Sequence, residues 1–146
     1  MMKKSSRRLQ TVLKLAKLRQ QLAAEQLGQM IRTADVHQQQ VEQLKHYQQD
    51  YGENFKTLAG KDVSAEQLGN YQRFFGSLEQ AVDTQQQRTI LAEDQRELAR
   101  RQWQQQYSRT RNMQALITRK QQEEEWELEK KRQREQDDRR PIEPSG

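Results

Sequence analysis

The side chains able to do chemistry are few and scattered. The 146-residue chain has no cysteine, which removes disulfides, zinc-thiolate sites and thiol nucleophiles. Its two histidines, His37 and His46, are nine residues apart with no clustered acids between them. A His-rich metal site is therefore excluded, and neither a metal nor a cofactor is expected. No phosphate-binding glycine loop and no nucleophile beside a base occurs, so the chain is not expected to be an enzyme. Acid pairs such as Asp137-Asp138 read as charge on a solvated helix.

What the residues offer instead is binding chemistry. Tyr47, Tyr51, Phe55, Tyr71, Phe74 and Phe75 gather most of the aromatic side chains into one stretch. Residues 1–24 hold seven Lys or Arg and no acid. That basic start suits an anionic membrane, nucleic acid, an acidic protein or plain solvent. Charge confined to one end, with residues 61–146 neutral at sixteen basic and sixteen acidic residues, speaks against nucleic acid. Near the other terminus Glu123-Glu124-Glu125 precedes Trp126, and Lys130-Lys131-Arg132 follows Leu128.

These groups must be positioned by helices. Hydrophobic residues make up 32% of the chain and charged residues another 32%, against the ~45–50% apolar content of globular domains. A sandwich, a barrel or an α/β enzyme could not fill its core. The 27 glutamines are good helix formers. Apolar runs never exceed three residues, so no segment approaches the ~20 needed for a membrane span. The interrupted N-terminus is not a signal peptide. A cytoplasmic protein is expected.

Heptads carry the fold. Leu13, Gln20, Leu27, Ala34, Val41, Gln48 and Phe55 form one core position of the first half. Leu9, Ala16, Ala23, Met30, His37, Leu44, Tyr51 and Leu58 form the other; twelve of these fifteen are apolar. In the second half the stripe runs Leu68, Tyr71, Phe75, Leu78, Val82, Gln85, Thr89, Ala92, Arg96, Ala99, Trp103, Gln106, Thr110, Met113, Ile117. Leu91, Leu98 and Tyr107 fall outside it, which leaves a register shift near 85–110 open. Residues 1–140 lack proline, and Leu58 to Ser64 breaks the pattern. Ser64 and Gln67 form the Gln version of a capping box.

The expected fold is all-α: a long two-helix antiparallel coiled-coil hairpin over residues 1–140. Helix one spans about 6–58, the turn 59–64 and helix two 65–138, with a disordered tail at 141–146. Folding near residue 63 pairs residues whose numbers sum to about 126. Phe55 then meets Tyr71, Tyr51 meets Phe75, Leu58 meets Leu68, His37 meets Thr89 in a polar layer, and Gln20 meets Gln106. Arms of ~50 residues would be ~75 Å long. The stripes end together at Leu9 and Ile117, so Arg119 to Arg140 should overhang, leaving Trp126 and Leu128 uncovered. Tyr47 and Phe74 lie off the seam and suit a binding hot spot.

Leu27-Gly28-Gln29-Met30, Gln43-Leu44, Tyr47-Gln48-Gln49-Asp50-Tyr51, Asn70-Tyr71-Gln72-Arg73-Phe74 and Leu78-Glu79-Gln80-Ala81 resemble the FliJ family of bacterial flagellar type III export. The resemblance covers about residues 9–135. It implies a hairpin similar to the rotor stalk of rotary ATPases, acting without catalysis in the hexameric flagellar export ATPase. It also implies contacts with the cytoplasmic part of the export gate membrane protein and with export chaperones, peripherally at the inner membrane. By match, Gln40, Leu44, Tyr47, Tyr51, Phe74, Leu78 and Ala81 carry the gate contact, although the seam claims Leu44, Tyr51 and Leu78. Gln85 stands where some relatives have His. The open end would enter the ATPase ring through Arg7, Arg8, Lys14, Lys17, Arg19, Arg119, Lys120, Trp126 and Leu128. A stalk of a virulence-type secretion system and a generic cytoplasmic scaffold coiled coil are the alternatives.

Overall fold

The computed structural model describes residues 4–139, and the tail expected at 141–146 lies outside them. Two helices account for it: α1, Lys4–Ala59, and α2, Ala65–Arg139, with no strand among the described residues. The turn is built as the residue types dictate. Lys61 N–H donates to the Leu58 carbonyl at 2.9 Å, closing the end of α1. Ser64 and Gln67 then bond reciprocally, each side chain to the other's backbone N–H at 3.2 Å. This capping box satisfies donors that the first turn of α2 would otherwise leave free.

Contacts group the chain into two units: Ala24–Gln102, which contains the turn, and Met1–Ala23 with Trp103–Gly146. Within the turn-side unit the helices run antiparallel, with Phe55 stacked on Tyr71 and His37 bonded to Thr89. Ala34, Val41, Leu78, Val82, Ala92 and Ala99 are buried between them. Every position of the α1 stripe from Leu27 to Phe55 is at least half-covered. Leu58 and Leu68 are the correction here. They are 52% and 40% exposed, because they flank the turn, where the seam ends and no further layer covers them.

On α2 the stripe continues through Gln85, Thr89, Ala92 and Ala99 without a shift. Leu91 and Leu98 simply face outward, at 59% and 56% exposure. Arg96, counted in the stripe, is exposed as well; a guanidinium costs too much to desolvate unpaired.

Within the terminal unit, Leu9, Leu13, Ala16, Gln20 and Ala23 of α1 are half-covered. They face an α2 stripe of Trp103, Gln106, Thr110, Met113 and Ile117. Gln20 and Gln106 are not bonded to each other among the described residues; partial solvent access serves both amides. The seam does not stop at Ile117. It continues in phase through half-covered Gln121 to Glu124, which is 8% exposed. Ser6 Oγ donates to Glu124 Oε1 at 2.6 Å, and Ser5 Oγ does so at 3.3 Å. The overhang therefore begins after Glu124 rather than at Arg119. Polar groups extend a seam that an apolar pattern alone cannot register.

Candidate protein-binding surfaces

Aromatic rings dominate the turn-side unit. Phe55 and Tyr71 have centroids 3.7 Å apart, and Tyr51 stacks on Tyr71 at 4.6 Å with the planes within 2°. Phe74 leans on Tyr51 at 4.6 Å, and Tyr47 reaches both Tyr51 and Phe74 at 6.5 and 6.4 Å. Tyr71 Oη donates to the Tyr51 carbonyl at 3.3 Å. Burial, and then the neighbouring Tyr51, push the Tyr71 phenol above its ordinary value, so it stays a donor.

The outer members of this stack keep much of their surface in solvent: 52% for Tyr47 and 42% for Phe74. A rigid ring held from behind and open in front loses little rotamer freedom when a partner covers it. Beside them, next to the turn, a pocket of about 540 Å³ is lined by Tyr51, Phe55, Leu58, Val63, Tyr71 and Phe74.

The residues matched to gate contact divide by exposure. Gln40, Leu44, Tyr47 and Tyr51 recur at spacings of four, three and four, so they line one flank of α1. Phe74, Leu78 and Ala81 do the same on α2. Tyr47, Phe74, Ala81 and Gln40 are exposed, Leu44 and Tyr51 are half-covered, and Leu78 is buried at 7%. Leu78 can support such a patch from behind but has no surface to offer.

Under this patch lies a polar layer. Gln85 Nε2 lies 2.9 Å from His37 Nδ1, 3.1 Å from Gln40 Oε1 and 3.4 Å from the His37 carbonyl. Thr89 Oγ1 reaches the carbonyls of His37 and Gln85 at 3.2 and 2.8 Å. The amide of Gln85 donates, so His37 accepts through an unprotonated Nδ1. Among the described residues each buried side-chain N or O atom has a partner, which fixes one register. His37 is thereby a packing residue. Among the described residues no three His, Asp or Glu side chains gather as metal ligands.

The terminal unit offers charge. Arg7, Arg8, Lys14, Lys17, Arg19, Arg119 and Lys120 are all exposed, and Lys120 lies 3.9 Å from Glu123. Trp126 is 62% exposed, its ring covered on one side by Lys130 Nζ at 5.2 Å. Leu128, 44% exposed, sits four residues past Glu124 and so continues the seam's phase; Trp126 does not.

Residue counts over long segments concealed one feature of this unit. Residues 103–122 hold four Lys or Arg and no acid, as residues 1–23 hold seven and none. Where residues 8–23 lie level with 103–122 both helices are acid-free, whereas Ser5 and Ser6 lie against Glu124; the neutrality of 61–146 comes from acids on either side. Arg109 and Arg111, both exposed, thus belong to the cationic surface of this unit.

A family profile described as Flagellar FliJ protein matches residues 5–140. The chain belongs to the FliJ family. A curated Flagellar FliJ protein of Salmonella typhi is 29% identical over 108 residues, 74% of each chain. No solved structure matches the chain. Among the described residues of this FliJ-family chain, no helix is long and apolar enough to cross a membrane.

Proposed function

We propose that this FliJ-family protein, a flagellar export component, works as a non-catalytic stalk in the hexameric export ATPase. In this reading the terminal unit engages the ATPase ring. The aromatic patch meets the cytoplasmic part of the export gate membrane protein, and export chaperones are further partners. These contacts hold the protein peripherally at the cytoplasmic face of the inner membrane.

The segregation of surface chemistry carries the reading. The paired exposed rings Tyr47 and Phe74 lie in one unit, while the other joins a cationic surface over residues 8–23 and 103–122 to the separate exposed rings Tyr107 and Trp126. Two surfaces of different chemistry suit two different partners. Cations facing an oppositely charged pore lining would speed docking, and salt would weaken it, since screening at ~0.15 M acts over ~8 Å. Trp126 adds an apolar anchor of the kind often worth ~2 kcal/mol.

The test is deletion of residues 126–146, a cut that spares Glu124 and its bonds to Ser5 and Ser6. Helicity of the remaining chain should persist while stimulation of the export ATPase falls several-fold, more so at high salt. Undiminished stimulation at low and high salt alike would make residues 126–146 a solvated extension and defeat the reading.

A further inference from the structure

One side of the terminal unit carries a groove of about 340 Å³ between the two helices. Val12 and Leu15 form one wall, Met113 and Leu116 the other, and Arg19 and Arg109 border it. Val12, Leu15 and Leu116 are 46%, 47% and 36% exposed, an apolar lining open to water. Neither arginine has an ion pair or hydrogen bond among the described residues. We propose that this groove binds an acidic amphipathic helix of a partner protein, laid between α1 and α2 as a third strand.

Shape favours a helix. Val12, Leu15 and Arg19 recur at spacings of three and four on α1, as Arg109, Asn112 and Leu116 do on α2. Each wall thus repeats once per turn, the spacing that an i, i+3, i+7 row of apolar side chains fits. A flat bilayer would touch the rims and leave the trough empty, and a nucleic acid has no apolar row to place there. Charge decides the sign of the partner. Along the groove, residues 8–23 and 103–122 hold eight cations and no acid, so carboxylates flanking the occupant would meet guanidinium and ammonium groups over that length. The proposal does not rest on the stalk reading, since docking by charge in a pore needs no groove.

The probe is a synthetic, fluorescein-labelled helical peptide of about five turns, with Leu at i, i+3 and i+7 and Glu on both flanks. Its control has Lys in place of Glu. Titrated with the full chain, the Glu peptide should raise anisotropy and the Lys peptide should not. Leu15→Gln with Leu116→Gln should weaken binding about ten-fold at low and at physiological salt. Arg19→Gln with Arg109→Gln should weaken it chiefly at low salt. Arg32→Gln, in the other unit, should leave it unchanged. Circular dichroism checks each fold, and the arginine pair keeps the test decisive if the leucine pair unfolds. Equal binding of both peptides, or leucine variants that fold and bind as before, would overturn the proposal. So would absence of peptide binding together with groove-dependent capture by phosphatidylglycerol vesicles. Groove-dependent dimerisation without peptide binding would name a second copy as the occupant and overturn it too.

Discussion

The two units are built on one heptad pattern and stabilised to different degrees. Among the described residues, six of the seven buried apolar side chains belong to Ala24–Gln102, and the seventh, Ile117, lies in the terminal unit. The turn-side unit adds a ring stack and a satisfied polar layer. The terminal unit instead buries Ser6, Thr110 and Glu124, and surrounds its seam with cations. A pattern of threes and fours therefore sets which face packs, while the residues in it set how firmly. Firm packing accompanies a preorganised patch; the weaker seam accompanies a charged surface.

Substitutions can break this comparison. The largest effect is expected at Leu78, 7% exposed: Leu78→Ala should cost about 3 kcal/mol, whereas half-covered Leu13→Ala should cost about 1. Urea melts of the two variants measure the difference, and equal losses would erase the contrast. Next, Tyr47→Ala should leave helicity intact and weaken binding to the gate's cytoplasmic part by about 2 kcal/mol, because the ring is 52% exposed. Parallel loss of helicity and binding would make Tyr47 part of the core.

A smaller loss, about 1–2 kcal/mol, is expected for Gln85→Ala, which strips His37 Nδ1 and Gln40 Oε1 of a donor. Thermal melts monitor it. The smallest effect concerns Glu97. Hydrogen bonds from Arg100 at 2.6 and 2.9 Å, helped by Arg101, lower its carboxyl from the ordinary 4.5 to about 2. A group depressed in the folded state stabilises it fully above the ordinary value and loses that contribution as pH falls from about 4.5 through about 2. Carboxyl NMR titration should show Glu97 returning toward its ordinary value in Arg100→Gln.

Much of this was readable from residue types. The 3–4 spacing named the covered face of α1 from Leu9 to Phe55, and Ser64 with Gln67 placed the start of α2. Pairing near a sum of 126 foresaw Phe55 on Tyr71 and His37 at Thr89. Tyr51, however, stacks on Tyr71 and Phe74, because rings settle by their faces rather than by heptad level. Apolar counting could not see Ser6 and Glu124, whose burial depends on each other. The exposed stripe through Val12, Leu15 and Leu116 was hidden for another reason. Periodicity records where apolar residues recur, and a second face beside the first only broadens that record.

The contact of Ser5 and Ser6 with Glu124 has one further consequence. The first turn of α1 contains no acidic residue, although the aligned peptide dipoles of a helix give its N-terminal end a partial positive charge of roughly half a unit. Glu124 brings a carboxylate to it from α2, 118 positions away from Ser6 in sequence. The macrodipole of one helix is thus compensated by a residue of the other. Shortening α2 ahead of Glu124 should fray the beginning of α1, and an added N-terminal tag should disturb α2 near residue 124. For anyone engineering this chain, the start of α1 and the stretch of α2 around Glu124 behave as a single joint.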